Sequence, residues 1–163
     1  MSDTDPEGQL AGFLARFTPE IGALAAAAIG TMRSRLPGAT VLVYDNYNAL
    51  AVGFGPNDRA SEAVLSIAVF PRRVALCLLH GLGLPDPHKL LQGSGNQVRN
   101  VTLGAAETLD DRRVVELIDA ALRASPKPLP AAGGRLIVKS ISAKQRPRRP
   151  SLKPAGSAPR RRR

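Results

Sequence analysis

Three stretches of the chain repeat apolar residues at helical spacing. Residues 9–17 place Leu10, Phe13, Leu14 and Phe17 on one face. A second helix is predicted from Pro19 to Leu36, after a possible Thr18 N-cap, and a third from Leu109 to Ala124. The inward positions expected in these two helices are Ile21, Leu24, Ala25, Ala28, Met32, Leu36, Val114, Leu117, Ile118, Ala121 and Leu122. Thr108 and Asp111 match a capping box for the third helix.

Short apolar runs separated by turn-forming residues occupy the middle of the chain. They predict strands at 41–44, 49–54, 63–70, 73–80 and 98–103, with a possible extra edge strand at 134–142. Tight connections at 45–48, 55–58 and 71–72 favour an antiparallel meander. The pattern therefore predicts an α+β fold, with an antiparallel sheet of five to six strands and helices packed on one face.

The composition fits one domain with an aliphatic core. The 163 residues are 44% apolar and only 4% aromatic, with no Trp and a single Cys, so there is no disulfide framework. Cys77 stands inside an apolar run and is interpreted as a buried small hydrophobe. The acidic start of the chain and the shortness of its most apolar stretch, residues 21–29, predict a cytoplasmic protein without a membrane span.

The net positive charge comes from the C-terminal part of the chain. Residues 1–119 carry 10 Lys+Arg and 13 Asp+Glu, whereas residues 120–163 carry 13 Lys+Arg and no acid, so formal charges of −3 and +13 make up the net +10. The sequence predicts a domain at 1–143, with its core at 18–124, and a disordered basic tail at 144–163.

The basic tail has two interpretations. It is a solvated segment that aids solubility, or it binds nucleic acid or another polyanion weakly and without sequence preference. It has no aromatic residue to stack on bases. The candidate polyanion-binding residues are Lys144, Arg146, Arg148, Arg149, Lys153, Arg160, Arg161, Arg162 and Arg163.

Three segments, at 43–50, 83–95 and 98–101, resemble the YdhG/YdeI-like family of bacterial domains of unknown function. The resemblance covers roughly residues 18–124 and is most specific from Pro85 to Val101. This chain has Asn96 where the family usually has Lys, and Asn100 where it often has His. The resemblance implies a frataxin-like arrangement of helices on one face of an antiparallel sheet.

The resemblance also raises an iron-chaperone role, because some relatives have been proposed to be iron chaperones. Iron on a frataxin-like surface needs clustered carboxylates, since hard metal ions prefer oxygen ligands. The helix predicted from Pro19 to Leu36 contains only one acid, Glu20. The remaining metal-ligand types, Cys77, His80, Asp86 and His88, match no standard zinc spacing, so no metal site and no cofactor are predicted.

A small-ligand pocket is the other candidate site. Its candidate residues are Tyr44, Tyr47, Asn48, Ser94 and Arg99. The alternative interpretation is that residues 44–48 and 93–96 only form turns and bind nothing. No catalytic arrangement stands out. The leading hypothesis is a non-enzymatic binding domain with unknown ligand and partners. The alternatives are a polyanion-associated protein acting through its tail, and an iron-binding protein by resemblance alone.

Overall fold

The computed structural model describes residues 5–150. Helices α1 (Pro6–Ala15) and α2 (Pro19–Arg35) open the chain, and helix α3 (Arg112–Ala124) lies near its end. The strands are β1 (Thr40–Asp45), β2 (Leu50–Gly55), β3 (Leu65–Phe70), β4 (Arg73–Leu78), β5 (Arg99–Leu103) and β6 (Leu136–Ile141). Short 3₁₀ turns span Ala60–Glu62 and Ala106–Asp110. The predicted α+β class is confirmed.

All six strands form one sheet in the order β5-β4-β3-β2-β1-β6. The first five make the predicted antiparallel meander. The sixth lies at the edge, as predicted, but it pairs with β1 in parallel, so the sheet is mixed. The reason is the connection: a helical crossover carries the chain from the last residue of β5 back to the end of the sheet where β5 began, so β6 runs in the direction of β5. Because β5 runs in the direction of β1, β6 is parallel to β1.

One face of the sheet and one side of the helices form the core. Alternate residues of each central strand point into it, for example Val52, Phe54, Leu65 and Ile67, all completely buried. α2 contacts β3 and β4, while α1 contacts α2 and β6. Among residues 5–150, no helix is long and apolar enough to cross a bilayer.

The helix starts follow local hydrogen bonding. The predicted Thr18 cap is confirmed, since its hydroxyl accepts the N–H of Ile21 at 3.3 Å. The predicted capping box at Thr108 is wrong. Residues 106–110 form a 3₁₀ turn, and Asp111 itself caps α3 by accepting the N–H of Arg113 at 2.9 Å. An Asp accepts an N-cap hydrogen bond as well as a Thr does. Asp111 is the residue directly before the amphipathic helix α3, so it, and not Thr108, determines where α3 begins.

Two glycines allow the connector between α3 and β6 to pass close to the start of β1. A Cβ at Gly38 would collide with the carbonyl of Pro130, and one at Gly134 would collide with the carbonyl of Ala39. The N–H of Gly134 donates to the carbonyl of Pro37 at 3.0 Å. This close approach places β6 in register beside β1.

The small residues of α2 provide a test of the packing. Ala28 is completely buried, whereas its neighbour Ala27 is exposed. Ala28→Leu should destabilise the protein by about 1–3 kcal/mol because it overpacks the face that meets the sheet. Ala27→Leu should change stability by less than about 0.5 kcal/mol. Urea unfolding of both variants measures this, and equal effects would contradict the packing described.

Candidate functional site

The five predicted pocket residues lie in two separate places. Tyr44 is in β1, and Tyr47 and Asn48 follow it in the turn to β2. Ser94 and Arg99 lie before and at the start of β5, which is separated from β1 by three intervening strands, or roughly 19 Å at about 4.8 Å for each of the four spacings. They also differ in level, because Arg99 aligns through the register with Val41 at the start of β1. The structure therefore does not bring the five side chains to one concavity.

Arg99 is engaged by its own loop. Its Nη1 donates to the carbonyl of Gly95 at 2.7 Å and to that of Val98 at 2.9 Å. Gly93 supports the loop with a φ of 115°, a conformation that favours glycine. These bonds indicate that Arg99 shapes the loop that carries Ser94.

Tyr44 and Tyr47 differ in exposure. Tyr44 is half-buried, its hydroxyl has no hydrogen-bond partner within residues 5–150, and burial raises its pKa. Tyr47 is 51% exposed, and its backbone carbonyl accepts the N–H of Arg146 at 2.9 Å. The turn between β1 and β2 is therefore joined to the C-terminal part of the chain.

Asp45, the last residue of β1, holds that junction. Its carboxylate is 1% exposed and accepts from Arg148 Nη2 at 2.9 Å, Gln145 Nε2 at 2.8 Å and Arg16 Nη1 at 3.3 Å. The Arg148 side chain is itself only 2% exposed and lies over the ring of Phe17, 5.7 Å from its centre. A buried carboxylate is costly unless it is paired and hydrogen-bonded, and here both conditions are met.

Residues 142–150, the C-terminal strap, extend across this end of the domain. The N–H of Ser142 donates to the carbonyl of Asp45 at 2.8 Å, and Arg148 Nη2 donates to the carbonyl of Asn46 at 2.6 Å. Arg149 Nε donates to the carbonyl of Arg16 at 3.1 Å, just after α1, where helix carbonyls lack partners within the helix. The strap is thus fixed to β1, to the following turn and to the end of α1.

The strap corrects the predicted tail. The disordered segment was expected to begin at residue 144, but residues 144–150 lie against the domain. Arg148 was a candidate for polyanion binding, yet its charge is buried against Asp45. Lys144, Arg146 and Arg149 remain exposed. The other tail candidates, Lys153 and Arg160 to Arg163, lie outside the described residues.

A groove of about 500 Å³ separates the strap from the turn between β3 and β4. We call it the cationic groove. It is lined by Asn48, Phe70, Pro71, Arg72, Arg146, Pro147, Arg149 and Pro150. Three of these residues are arginines and none is acidic. Within residues 5–150, the side chains of Arg72 and Arg146 make no ion pair or hydrogen bond, so both guanidinium groups are available to a ligand.

The candidate metal ligands His80, His88 and Asp86 each contact a different partner. His80 Nδ1 lies 2.8 Å from Gln97 Oε1, and His88 Nε2 lies 3.6 Å from Glu116 Oε1. Asp86 accepts the backbone N–H groups of Leu90 and Leu91, both at 2.9 Å. In the described part of the chain, no group of three or more His, Cys, Asp or Glu residues is arranged to hold a metal ion.

Comparison with known proteins returned no match among family models, curated proteins or solved structures. The YdhG/YdeI-like resemblance therefore stays a prediction.

Sequence reasoning missed the role of Asp45, although a signal was present. Asp45 continues the inward alternation of Val41 and Val43, and so takes a core position in β1. A carboxylate at a core position requires a cation, and Arg16, the one cation of the apolar segment at residues 9–17, is half exposed and satisfies only part of that requirement. The partner Arg148 is 103 positions away, and spacing alone does not identify it.

The pair of Asp45 and Arg148 can be tested by a double-mutant cycle. Asp45→Asn should destabilise the protein by on the order of 3 kcal/mol, because it leaves a buried guanidinium without its counter-charge. Adding Arg148→Gln should cost less than the sum of the single changes, with a coupling of at least about 1 kcal/mol. Urea unfolding measures the cycle. Asp119→Asn, an exposed change on α3, is the control, and additive effects would show that the two residues are not coupled.

Cys77 offers a test of reactivity. Burial raises the pKa of its thiol, an effect that a hydrogen bond with Ser66 and the charge of Arg73 only partly oppose. Less thiolate is then present at a given pH, so iodoacetamide should modify Cys77 more slowly in the folded protein than in the urea-unfolded protein. As the pH increases, the modification rate of Cys77 should begin to rise at a higher pH in the folded protein than in the unfolded protein. A folded rate equal to or above the unfolded rate would identify a reactive cysteine.

Proposed function

We propose that this protein is a non-enzymatic nucleic-acid-binding protein that holds the phosphate backbone in the cationic groove. The observation that carries the proposal is the lining of the groove, with three arginines, one asparagine and no acid. Guanidinium groups match phosphate geometry and keep their charge at all relevant pH values.

The groove is supported by a rigid frame. Asp45 and Arg148 fix the strap at 2.9 Å, and this contact places Arg146 on one side of the groove. Arg72 stands on the opposite side, in the tight turn between β3 and β4. Arg149 completes the set while it donates to the carbonyl groups of Ala15 and Arg16. Fixed positions reduce the ordering cost of binding.

The remaining basic residues of the chain follow the groove residues directly in the sequence. Pro150 lines the groove, and residues 151–163 after it carry one Lys, four Arg and no acid. These cations add electrostatic attraction to a nucleic acid, because the counterion release that accompanies phosphate neutralisation requires positive charge but no defined geometry. In the sequence, Arg146 and Arg149 of the groove and the basic residues after Pro150 therefore belong to one stretch without an acidic residue.

Sequence-independent binding follows from the groove's composition. Its one aromatic residue, Phe70, is covered by the guanidinium of Arg73 at 4.8 Å from the ring centre. A ring engaged in this way does not offer a free platform for base stacking, on which single-strand recognition often depends. Contacts to phosphate position a nucleic acid without reading its sequence.

The groove can be tested with two matched pairs of substitutions in the full chain. Arg72→Gln with Arg146→Gln removes the two free groove cations. Arg59→Gln with Arg135→Gln removes two exposed cations at the opposite end of the sheet. Affinity for a short duplex DNA and for a single-stranded RNA is measured by fluorescence anisotropy between about 50 and about 200 mM salt.

The groove pair should make the negative slope of log affinity against log salt shallower by about 1.4 for the single strand and about 1.8 for the duplex, which corresponds to the loss of two phosphate contacts. The control pair should leave the slope nearly unchanged. Equal losses in both pairs would show that net charge alone drives binding and would refute the groove. A third variant, with Lys153 and Arg160–Arg163 changed to Gln, should weaken binding but keep the difference between the two pairs.

A further inference from the structure

A second concavity lies at the end of the sheet opposite the cationic groove. Its volume is about 370 Å³, and it is enclosed by the end of α3 with the residues that follow it, the 3₁₀ turn at Ala60–Glu62 and the loop after β4. The two sites are separated by the length of the strands, since the groove lies at the Arg73 end of β4 and this cavity lies beyond Leu78. We call it the apolar cavity.

Apolar side chains form most of its wall. Val64 and Ala121 belong to the core, at 4% and 8% exposure, while Leu84, Ala124 and Pro126 complete the wall. Because core residues set its shape, the cavity exists without a ligand. Its volume falls in the range of about 300–1,000 Å³ that is typical of small-molecule sites.

The two charged residues of the rim neutralise each other. Lys127 Nζ lies 3.1 Å from Glu62 Oε1 and 3.2 Å from Oε2, and Asn57 Nδ2 donates to Oε1 at 2.6 Å. These bonds also hold the pKa of Glu62 below its usual value. A charged ligand would have to compete with an existing pair, so the rim favours an uncharged one.

His80 supplies a directional group to the cavity. Its Nδ1 lies 2.8 Å from Gln97 Oε1, which can only accept, so Nδ1 carries the hydrogen. In the neutral ring, Nε2 is then left as an acceptor, and it has no protein partner within residues 5–150. A hydroxyl or N–H group of a ligand fits that acceptor.

The surface beside His80 is also apolar. Two of the four large hydrophobic side chains exposed in the described residues are Leu82, at 59%, and Val98, at 42%. They adjoin the His80–Gln97 pair, because the N–H of Leu82 donates to the carbonyl of Gln97 at 2.9 Å and Val98 follows Gln97 in the chain. Apolar side chains are thus also exposed on the loop beside His80.

We infer that the apolar cavity binds a small, uncharged and mainly apolar molecule that donates one hydrogen bond to His80. The inference concerns a second site and is independent of nucleic-acid binding at the cationic groove.

Ligand chemistry is tested on the full chain with four probes built on one ring: benzyl alcohol, toluene, benzoate and benzylammonium. Amide chemical shifts measured during titration report affinity and location. Benzyl alcohol should bind best, with shifts confined to the cavity residues, and should exceed toluene by about three- to tenfold, the worth of one hydrogen bond. Tightest binding of benzylammonium or benzoate, or shifts spread over the whole surface, would overturn the inference.

Location is tested with substitutions at exposed alanines. Ala124→Phe should fill the cavity and reduce benzyl alcohol affinity at least about tenfold, whereas Ala26→Phe, the same change at an exposed position of α2, should leave it unchanged. His80→Leu should remove the preference for benzyl alcohol over toluene while toluene still binds. Unaltered benzyl alcohol binding by Ala124→Phe would overturn the inference. The DNA affinity of Ala124→Phe is measured in parallel and should be unchanged, so that the result for the apolar cavity is distinguished from the result for the cationic groove.

Discussion

The buried ion pair between Asp45 and Arg148 determines how the end of this chain is organised. It joins the last residue of β1 to a residue 103 positions later, and both side chains are almost fully excluded from solvent. Without the strap, Asp45 would remain at a core position with Arg16 as its only cation, and Arg16 is half exposed. The pair therefore explains why the segment after β6 lies against the domain, and why Arg146 and Arg149 border a groove.

Local pattern predicted the parts of the fold that local physics controls. The alternation of apolar residues gave the five-strand meander, and Thr18 marked the start of α2, because these features depend on neighbours in sequence. The parallel pairing of β6 depends on a crossover of more than thirty residues, between Leu103 and Leu136, and on the contact of Gly38 with Pro130. Neither leaves a local signature in the sequence.

The candidate sites also contain parts that the sequence predicts and parts that depend on the tertiary structure. The charge distribution identified the basic end of the chain, and three of its cations, Lys144, Arg146 and Arg149, are exposed in the structure. Arg72 completes the groove from a tight turn in the sheet, and its role depends on the tertiary position of the strap. The predicted pocket around Arg99 grouped polar and aromatic residues in or next to β1 and β5, two strands that have three other strands between them. The apolar cavity joins residues from 61 to 127, so only the fold assembles it.

The parallel pairing of β6 has a consequence for synthesis of the protein on the ribosome. Val41 pairs with Leu136, 95 positions later, so one edge of β1 stays open while most of the chain is being made. Contacts at such separation form slowly, because a long loop must close first. Open strand edges are sites of association between unfinished chains. Until β6 docks, the nascent protein thus exposes the edge of the apolar strand β1; afterwards the edge belongs to β6, which carries Lys139, a residue type that protects sheet edges from association.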